Sequence, residues 1–131
     1  MWKDLGEYIL SFKKKTPLKI VEIGVGKFSK TYDFLMKKKD VDIIKTDINP
    51  FDNSVIKDDI SNPNMNLYED IDIIYSIRPP SEIHPYLMNL RDKINSILII
   101  KPLFNEDINI KNKEMKLKNY KKASFYIYGD N

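Results

Sequence analysis

The eleven residues VEIGVGKFSKT, 21–31, decide the reading of this chain. They follow the start of a short apolar run, LKI at 18–20, and end in lysine and threonine. An apolar strand that breaks at glycine and passes into a helix opens a βαβ unit, and its loop is where such units hold nucleotides. Three loop patterns overlap here. The mononucleotide pattern, G-x-x-x-x-G-K-[ST], has Gly24, Lys30 and Thr31 in place but Ser29 for its second glycine. A Cβ at that point obstructs the backbone curl around phosphate oxygens. Lys45 also interrupts the strand that would carry the acidic partner. The dinucleotide pattern keeps Gly24 and Gly26 and loses only its third glycine. Asp47 lies 21 residues beyond Gly26, near the ~20 expected of an acid that contacts a ribose.

The third pattern is Glu22-x-Gly24-x-Gly26. A carboxylate two residues before the first glycine repels a pyrophosphate. It suits a ligand carrying an ammonium and a sulfonium, which S-adenosylmethionine does. Downstream acids fit the same ligand. Asp47, in TDINP at 46–50, can accept from both ribose hydroxyls. Asp58 and Asp59 end the next strand, where one of them can receive the adenine amino group. The expected nucleoside contacts are therefore Glu22, Gly24, Gly26, Asp47 and Asp59, with Ser76 and Tyr75 as further pocket residues.

Working outward, Trp2, Leu5, Ile9 and Phe12 mark one face of an N-terminal helix within 1–14, which Pro17 ends. Its face is expected on the sheet edge or on a partner. Strands are expected at 18–24, 41–47, 53–59, 69–77 and 95–103. One helix carries its apolar face at Phe28, Tyr32, Leu35 and Met36, and another begins at Pro85 with Leu87, Leu90 and Ile94 inward. Apolar strands alternating with helices predict a parallel sheet covered on both faces. Residues 113–128 alternate differently and predict an antiparallel hairpin turning near 120–122. FNEDINIKNK, 104–113, is too short for a full crossover helix. The expectation is one α/β domain over 1–131, a three-layer sandwich with a mainly parallel sheet and the hairpin added at its edge.

Composition bounds the function. Hydrophobic residues make up 42% and charged residues 31% of the 131, so the chain folds rather than staying disordered. No apolar run approaches the ~18–20 residues of a membrane span. The first fifteen residues carry Asp4 and Glu7 and lack an apolar h-region. A cytoplasmic protein with no membrane partner is expected. Without cysteine there is no disulfide or thiolate metal site. One histidine and dispersed acids point to no metal centre. The net charge of +3 is almost all lysine, since only Arg78 and Arg91 are arginine. Lys13–Lys15 and Lys37–Lys39 read as solvated helix ends rather than nucleic-acid patches, although a nucleic-acid partner stays open.

Two residues are candidates for chemistry. Arg78 precedes Pro79-Pro80, a pair that rigidifies the loop after the fourth strand and admits a cis bond. Arginine has five donors and no acceptor, so it cannot orient an amine, but it can clamp a carboxylate or phosphate. His84 is expected at the N-cap of the next helix, where it is a candidate general base.

VEIGVG at 21–26, TDINP at 46–50, DDI at 58–60 and above all DIIYSIRPPSEIHPYL at 72–87 resemble a small uncharacterised archaeal family, UPF0146. More broadly, the chain resembles the class I S-adenosylmethionine-dependent methyltransferase fold. The resemblance covers most of the chain from residue 18 onward. It implies a Rossmann-like, methyltransferase-type fold, with the parallel strands in the order 3-2-1-4-5, and a suspected S-adenosylmethionine cofactor, and it implies no established reaction. The chain departs from that fold's loop pattern at Phe28, which stands for a third glycine and is expected to turn into the core. The expected function is an S-adenosylmethionine-binding, methyltransferase-like protein with an anionic acceptor group. The alternatives are a non-catalytic nucleoside-binding or complex-forming module and, behind it, a nicotinamide dinucleotide binder. The chain is short of material for a substrate lid, so a partner or a second subunit would complete an acceptor pocket.

Overall fold

The computed structural model describes residues 1–12, 16–26, 29–102 and 106–130. These form a seven-stranded sheet in the order β3-β2-β1-β4-β5-β7-β6. The strands are β1 (Leu18–Ile23), β2 (Val41–Asp47), β3 (Ile56–Lys57), β4 (Ile73–Ile77), β5 (Ile97–Lys101), β6 (Lys116–Tyr120) and β7 (Ala123–Tyr128). The first five pair in parallel; β7 runs antiparallel to β5 and to β6. The expected order and the expected hairpin are both present.

Three helices cover the sheet: α1 (Trp2–Leu10), α2 (Lys30–Met36) and α3 (His84–Ile94). At seven to eleven residues, none is long enough to be stable alone in water. Burial of one face holds each in place. Leu5, Tyr8 and Ile9 of α1 and Leu35 of α2 pack on Leu18, Ile20, Ile73, Tyr75 and Phe125. Burying a side chain such as Leu5 or Ile9 contributes about 1.5–3 kcal/mol. Thus α1 lies across the sheet face, reaching β7, rather than along an edge. Leu87, Met88 and Leu90 of α3 pack with Val21, Ile23, Ile74 and Leu98 on the opposite face. There the segment after residue 106 carries no helix. Its Ile108, Ile110 and Met115 cover that face directly.

Several expected boundaries move, each for a local reason. Helix α1 stops at Leu10, well before Pro17, because the Ser11 hydroxyl takes the Tyr8 carbonyl at 2.5 Å. Strand β3 shrinks to two residues. Asp52 bonds both Ser54 N–H and hydroxyl, and Asp59 does the same to Ser61, so Asx turns close in from both ends. Strand β4 starts at Ile73 rather than 69, after a left-handed turn at Asp70 (φ 61°). Asn95, also left-handed, ends α3 and delays β5 to Ile97. Strand β1 likewise ends one residue early, at Ile23. On α2, Met36 is exposed and Tyr32 half-buried; Thr31 and Leu35 are the inward residues, with Phe34 packed against Gly6. The expected roles of Phe28 and Lys13–Lys15, and the end of the fifth strand at Leu103, lie outside the described residues. Lys37–Lys39 follow α2 and are exposed, as a solvated helix end should be. Among the described residues, no helix is long and apolar enough to cross a membrane.

Candidate functional site

Strand β1 lies between β2 and β4, so the crossovers leave it in opposite directions. This switch point is where open α/β sheets receive ligands. Pairing between β1 and β4 ends at Glu22 and Tyr75. One residue further, the Ser76 hydroxyl donates to the Ile23 carbonyl at 2.6 Å and roots the loop to β4. Gly24 N–H bonds the Thr46 carbonyl at 2.9 Å, rooting it to β2. Gly24 (φ 74°) and Gly26 (φ 54°) both adopt left-handed backbone, which explains the glycines. Neither is demanded by space, since a Cβ at Gly24 would meet nothing closer than 3.7 Å and one at Gly26 nothing within 4 Å.

A cavity of about 470 Å³ opens at these strand ends, within the ~300–1,000 Å³ usual for small-molecule sites. Gly24, Asp47, Asp58 and Asp59 line it, with Ile23, Ile48, Ile60 and Ile83 as apolar walls and Pro80 and Tyr86 at its side. Asp47 ends β2, and two backbone groups orient its carboxylate. Asn49 N–H donates to Oδ1 at 2.8 Å and Gly26 N–H to Oδ2 at 3.4 Å. A carboxylate has about four acceptor positions, so capacity remains on both oxygens.

The two following acids differ. Both oxygens of Asp58 are engaged internally, Oδ1 by Asn64 N–H and Oδ2 by the Tyr68 hydroxyl at 2.5 Å. Burial and the Asp58 bond push the Tyr68 hydroxyl well above its ordinary range, so it stays a donor. Asp59 bonds Ser61 through Oδ1 alone, which holds its carboxyl below the ordinary value.

Glu22 is elsewhere. It is 1% exposed and faces α2, across the sheet from the cavity. Its Oε1 accepts from the Tyr75 hydroxyl at 2.5 Å, and Lys45 lies beside it in register. Burial raises its carboxyl from 4.5 to about 7, against the opposing Tyr75 bond and Lys45 charge. Lys45, which interrupts an apolar strand in the sequence, rests its ammonium 4.1 Å from the Tyr32 ring. Tyr75 belongs to this cluster and not to the cavity.

Arg78 follows β4 with a left-handed backbone (φ 55°), and its N–H bonds the Lys101 carbonyl at 2.6 Å. Its guanidinium lies 5.3 Å from the Trp2 ring and is not part of the cavity wall. The Pro79–Pro80 bond is trans. His84 is the first residue of α3 rather than its cap, and it is 0% exposed. Its Nδ1 accepts from Asn109 N–H at 3.0 Å, which places the ring proton on Nε2. Nε2 makes no hydrogen bond of good geometry among the described residues, and burial lowers the ring's pKa against a smaller opposing effect of the Pro79 backbone.

The structure thus brings Gly24, Asp47, Asp58 and Asp59 together at one cavity, with Gly26 bonded to Asp47 and Ser76 beneath Gly24. It sets Glu22, Arg78 and His84 apart from that cavity. Sequence reasoning missed Tyr68, Ile48, Ile60, Ile83 and Tyr86. Ile48 is the one that carried a signal, as an apolar residue directly after the acid that ends a strand. Among the described residues, no three acids or histidines cluster as a metal site.

Residues 2–130 match the model of an uncharacterised protein family, UPF0146, and the chain belongs to that family. UPF0146 proteins of two archaea, Methanothermobacter thermautotrophicus and Methanocaldococcus jannaschii, are each 43% identical to it. The first match covers 98% of this chain and 95% of the relative; the second covers 95% and 94%. Among solved structures, it is similar to an S-adenosyl-L-methionine methyl transferase from Silicibacter pomeroyi. That match has a TM-score of 0.61 at 11% identity and covers 95% of this chain and 88% of the other. It is also similar to the small RNA methyltransferase HEN1, with a TM-score of 0.58 at 12% identity, covering 95% of this chain and 24% of that one. The fold is methyltransferase-like; likeness at these identities concerns fold and not reaction.

Proposed function

We propose that the cavity at the switch point binds S-adenosylmethionine, and that the chain acts as a methyltransferase-like protein toward an acceptor not yet identified. The observation that carries this reading is Asp47. Its carboxylate is aimed by two backbone N–H groups into a cavity of nucleoside-compatible size. Its remaining acceptor positions suit the paired hydroxyls of a ribose. Ile48, Ile60 and Ile83 offer apolar surface for a flat base. The oxygen of Asp59 that Ser61 leaves is suited to an exocyclic amine. Gly24 and Gly26 let the backbone approach the ligand, and Ser76 holds the loop's root. Glu22 supports the end of β1 from the opposite face rather than touching ligand. When bound, the cofactor supplies an electrophilic methyl group on sulfur. The chain's part is to hold it in line with an acceptor.

A second reading is a nucleoside-binding module without catalysis. It is favoured by His84, whose ring is buried and whose Nδ1 is occupied, so it presents no base to the cavity. A dinucleotide reading also regains ground. It needs Glu22 turned from the loop, and Glu22 is so turned. The lost third glycine at Ser29 still counts against it.

Calorimetric titration with S-adenosylmethionine, S-adenosylhomocysteine and NADH tests all three. Micromolar binding of the first two, lost in Asp47→Ala, is the expected result. Transfer of labelled methyl into host lysate separates the enzyme from the module. Binding of NADH alone, or of none of the three, would overturn the proposal.

A further inference from the structure

We propose that His84 is a positioning residue for the cavity, and that its neutral ring is a buckle between two segments that opens when the ring takes a proton. The proposal rests on the proposed function for the ligand that reads it out; the buckle stands on its own hydrogen bonds. Two segments meet at this histidine. Residues 78–83 lead from β4 into α3 and give the cavity Pro80 and Ile83, and Tyr86 follows in the first turn of α3. The segment from residue 106 leads toward β6 and carries no helix. Single contacts therefore have to tie it down. Ile108 and Ile110 pack on the core, and Asn109 between them ties the segment twice to the first one. Its backbone N–H donates to His84 Nδ1 at 3.0 Å, and its side-chain Nδ2 donates to the Ser81 carbonyl at 3.0 Å.

A backbone N–H can only donate, so the ring nitrogen that meets it has to be unprotonated. A proton on Nδ1 sets two donors face to face and breaks the bond. The neutral ring and the tied segment therefore exist together, and the charged ring exists with the segment released. Charging the ring in place would also bury a cation, since His84 is wholly buried. Burial is the largest influence on the ring and lowers its pKa; the Pro79 backbone, Glu106 on the segment and Glu82 on the turn oppose it. With the folded value below the unfolded one, the buckle contributes fully above the ordinary histidine range. Its contribution is lost as pH falls through the folded value. The cavity feels the loss through the chain. Ser81, which accepts from Asn109, follows Pro80 directly, and His84 follows Ile83 directly. Opening the buckle takes the brace from both residues of that wall. His84 thus acts on the ligand through Pro80 and Ile83 and not by touching it.

His84 is the only histidine in the chain, so its ring gives one unambiguous NMR signal to follow with pH. On the full chain, three curves are measured from about pH 7.5 down to about pH 4.5, across the range where a histidine titrates. They are the ring titration, the exchange protection of the Asn109 amide, and the calorimetric affinity for S-adenosylhomocysteine. The ring should titrate below the ordinary histidine range, and Asn109 protection should fall with the same midpoint. Affinity should weaken by about tenfold across it. By reciprocity, bound S-adenosylhomocysteine should lower the midpoint of the ring. His84→Asn sets an oxygen that does not titrate at the place of Nδ1, and its protection and affinity should stay level with pH. A parent that binds no nucleoside at any pH, but whose Asn109 protection still follows the ring, would sink the proposed function and leave the buckle standing. Asn109 protection that ignores the ring would overturn the buckle, and so would a ring that takes no proton until the whole chain unfolds. Affinity that stays level while the ring is charged would overturn the positioning role, as would a folded His84→Asn whose affinity falls as the parent's does. Should that variant fail to fold, the three curves of the parent decide.

Discussion

Asp47, Asp58 and Asp59 stand where β2 and β3 end, on one side of the switch point; Arg78 and Lys101 stand where β4 and β5 end, on the other. The two halves of one sheet edge therefore carry opposite charge. They also hold it differently. The acids are oriented by backbone N–H groups and by hydroxyls of Tyr68 and Ser61. The cations stand on neighbouring strand ends joined by one backbone hydrogen bond, and the Lys101 ammonium is held below its ordinary pKa by burial first and by the Arg78 charge second. Acids with spare acceptor capacity recognise hydroxyls and amines.

The largest expected effect falls on the acidic half. Under the proposed function, Asp47→Ala removes a carboxylate that would accept two charge-assisted hydrogen bonds from the nucleoside, each worth about 1.5–3 kcal/mol. Affinity should drop by roughly a thousandfold in calorimetry. A drop of less than tenfold would mean that the acidic half does not hold the ribose.

Glu22 belongs to neither half, and its substitution sharpens the contrast. Its carboxyl sits near 7 in the folded chain against an ordinary 4.5. The folded state therefore holds this proton more tightly than the unfolded state does. The stability it contributes is complete below about pH 4.5, drains as pH rises toward 7, and is gone above it. The loss amounts to roughly 3 kcal/mol. Glu22→Gln keeps an acceptor for Tyr75 and removes the titration. Urea midpoints of the variant should vary less between pH 5 and pH 8, and should exceed those of the parent at pH 8. Parallel curves for the two proteins would refute the assignment. Ligand affinity at pH 7 should stay within a few-fold, because Glu22 faces α2 and not the cavity.

The smallest expected effect separates backbone from side chain. Gly24→Ala forces a Cβ into left-handed backbone and should cost about 1–2 kcal/mol in stability. Space is available there, so the fold should survive. Thermal unfolding reads the cost directly. A variant as stable as the parent would show that the loop relaxes to another conformation.

Much of this was legible beforehand. The alternation of β-branched runs with amphipathic segments pointed to a parallel sheet, because a two-sided sheet needs apolar residues on every position of its central strands. Gly24, Gly26 and Asp47 were readable because their roles depend on local backbone and on strand ends. Glu22 was not readable in the same way. It stands one residue before Ile23, which lines the cavity, so strand alternation sends it to the far face, where the Tyr75 hydroxyl, 53 residues on, donates to it. Tyr68 was invisible for a similar reason: its partner Asp58 sits on another element, and only the 3₁₀ turn at Met65–Tyr68 brings them together.

The sequence by itself determined the parallel sheet, the glycine loop and the acid at its side, since these follow from periodicity, left-handed backbone and position at a strand end. Only the tertiary structure decided which side of the sheet each charge serves. It turned Glu22 away, closed His84 into the core and set Arg78 over the Trp2 ring. Charge and residue type are written along the chain, but burial and the neighbours that tune them come from segments far apart in it.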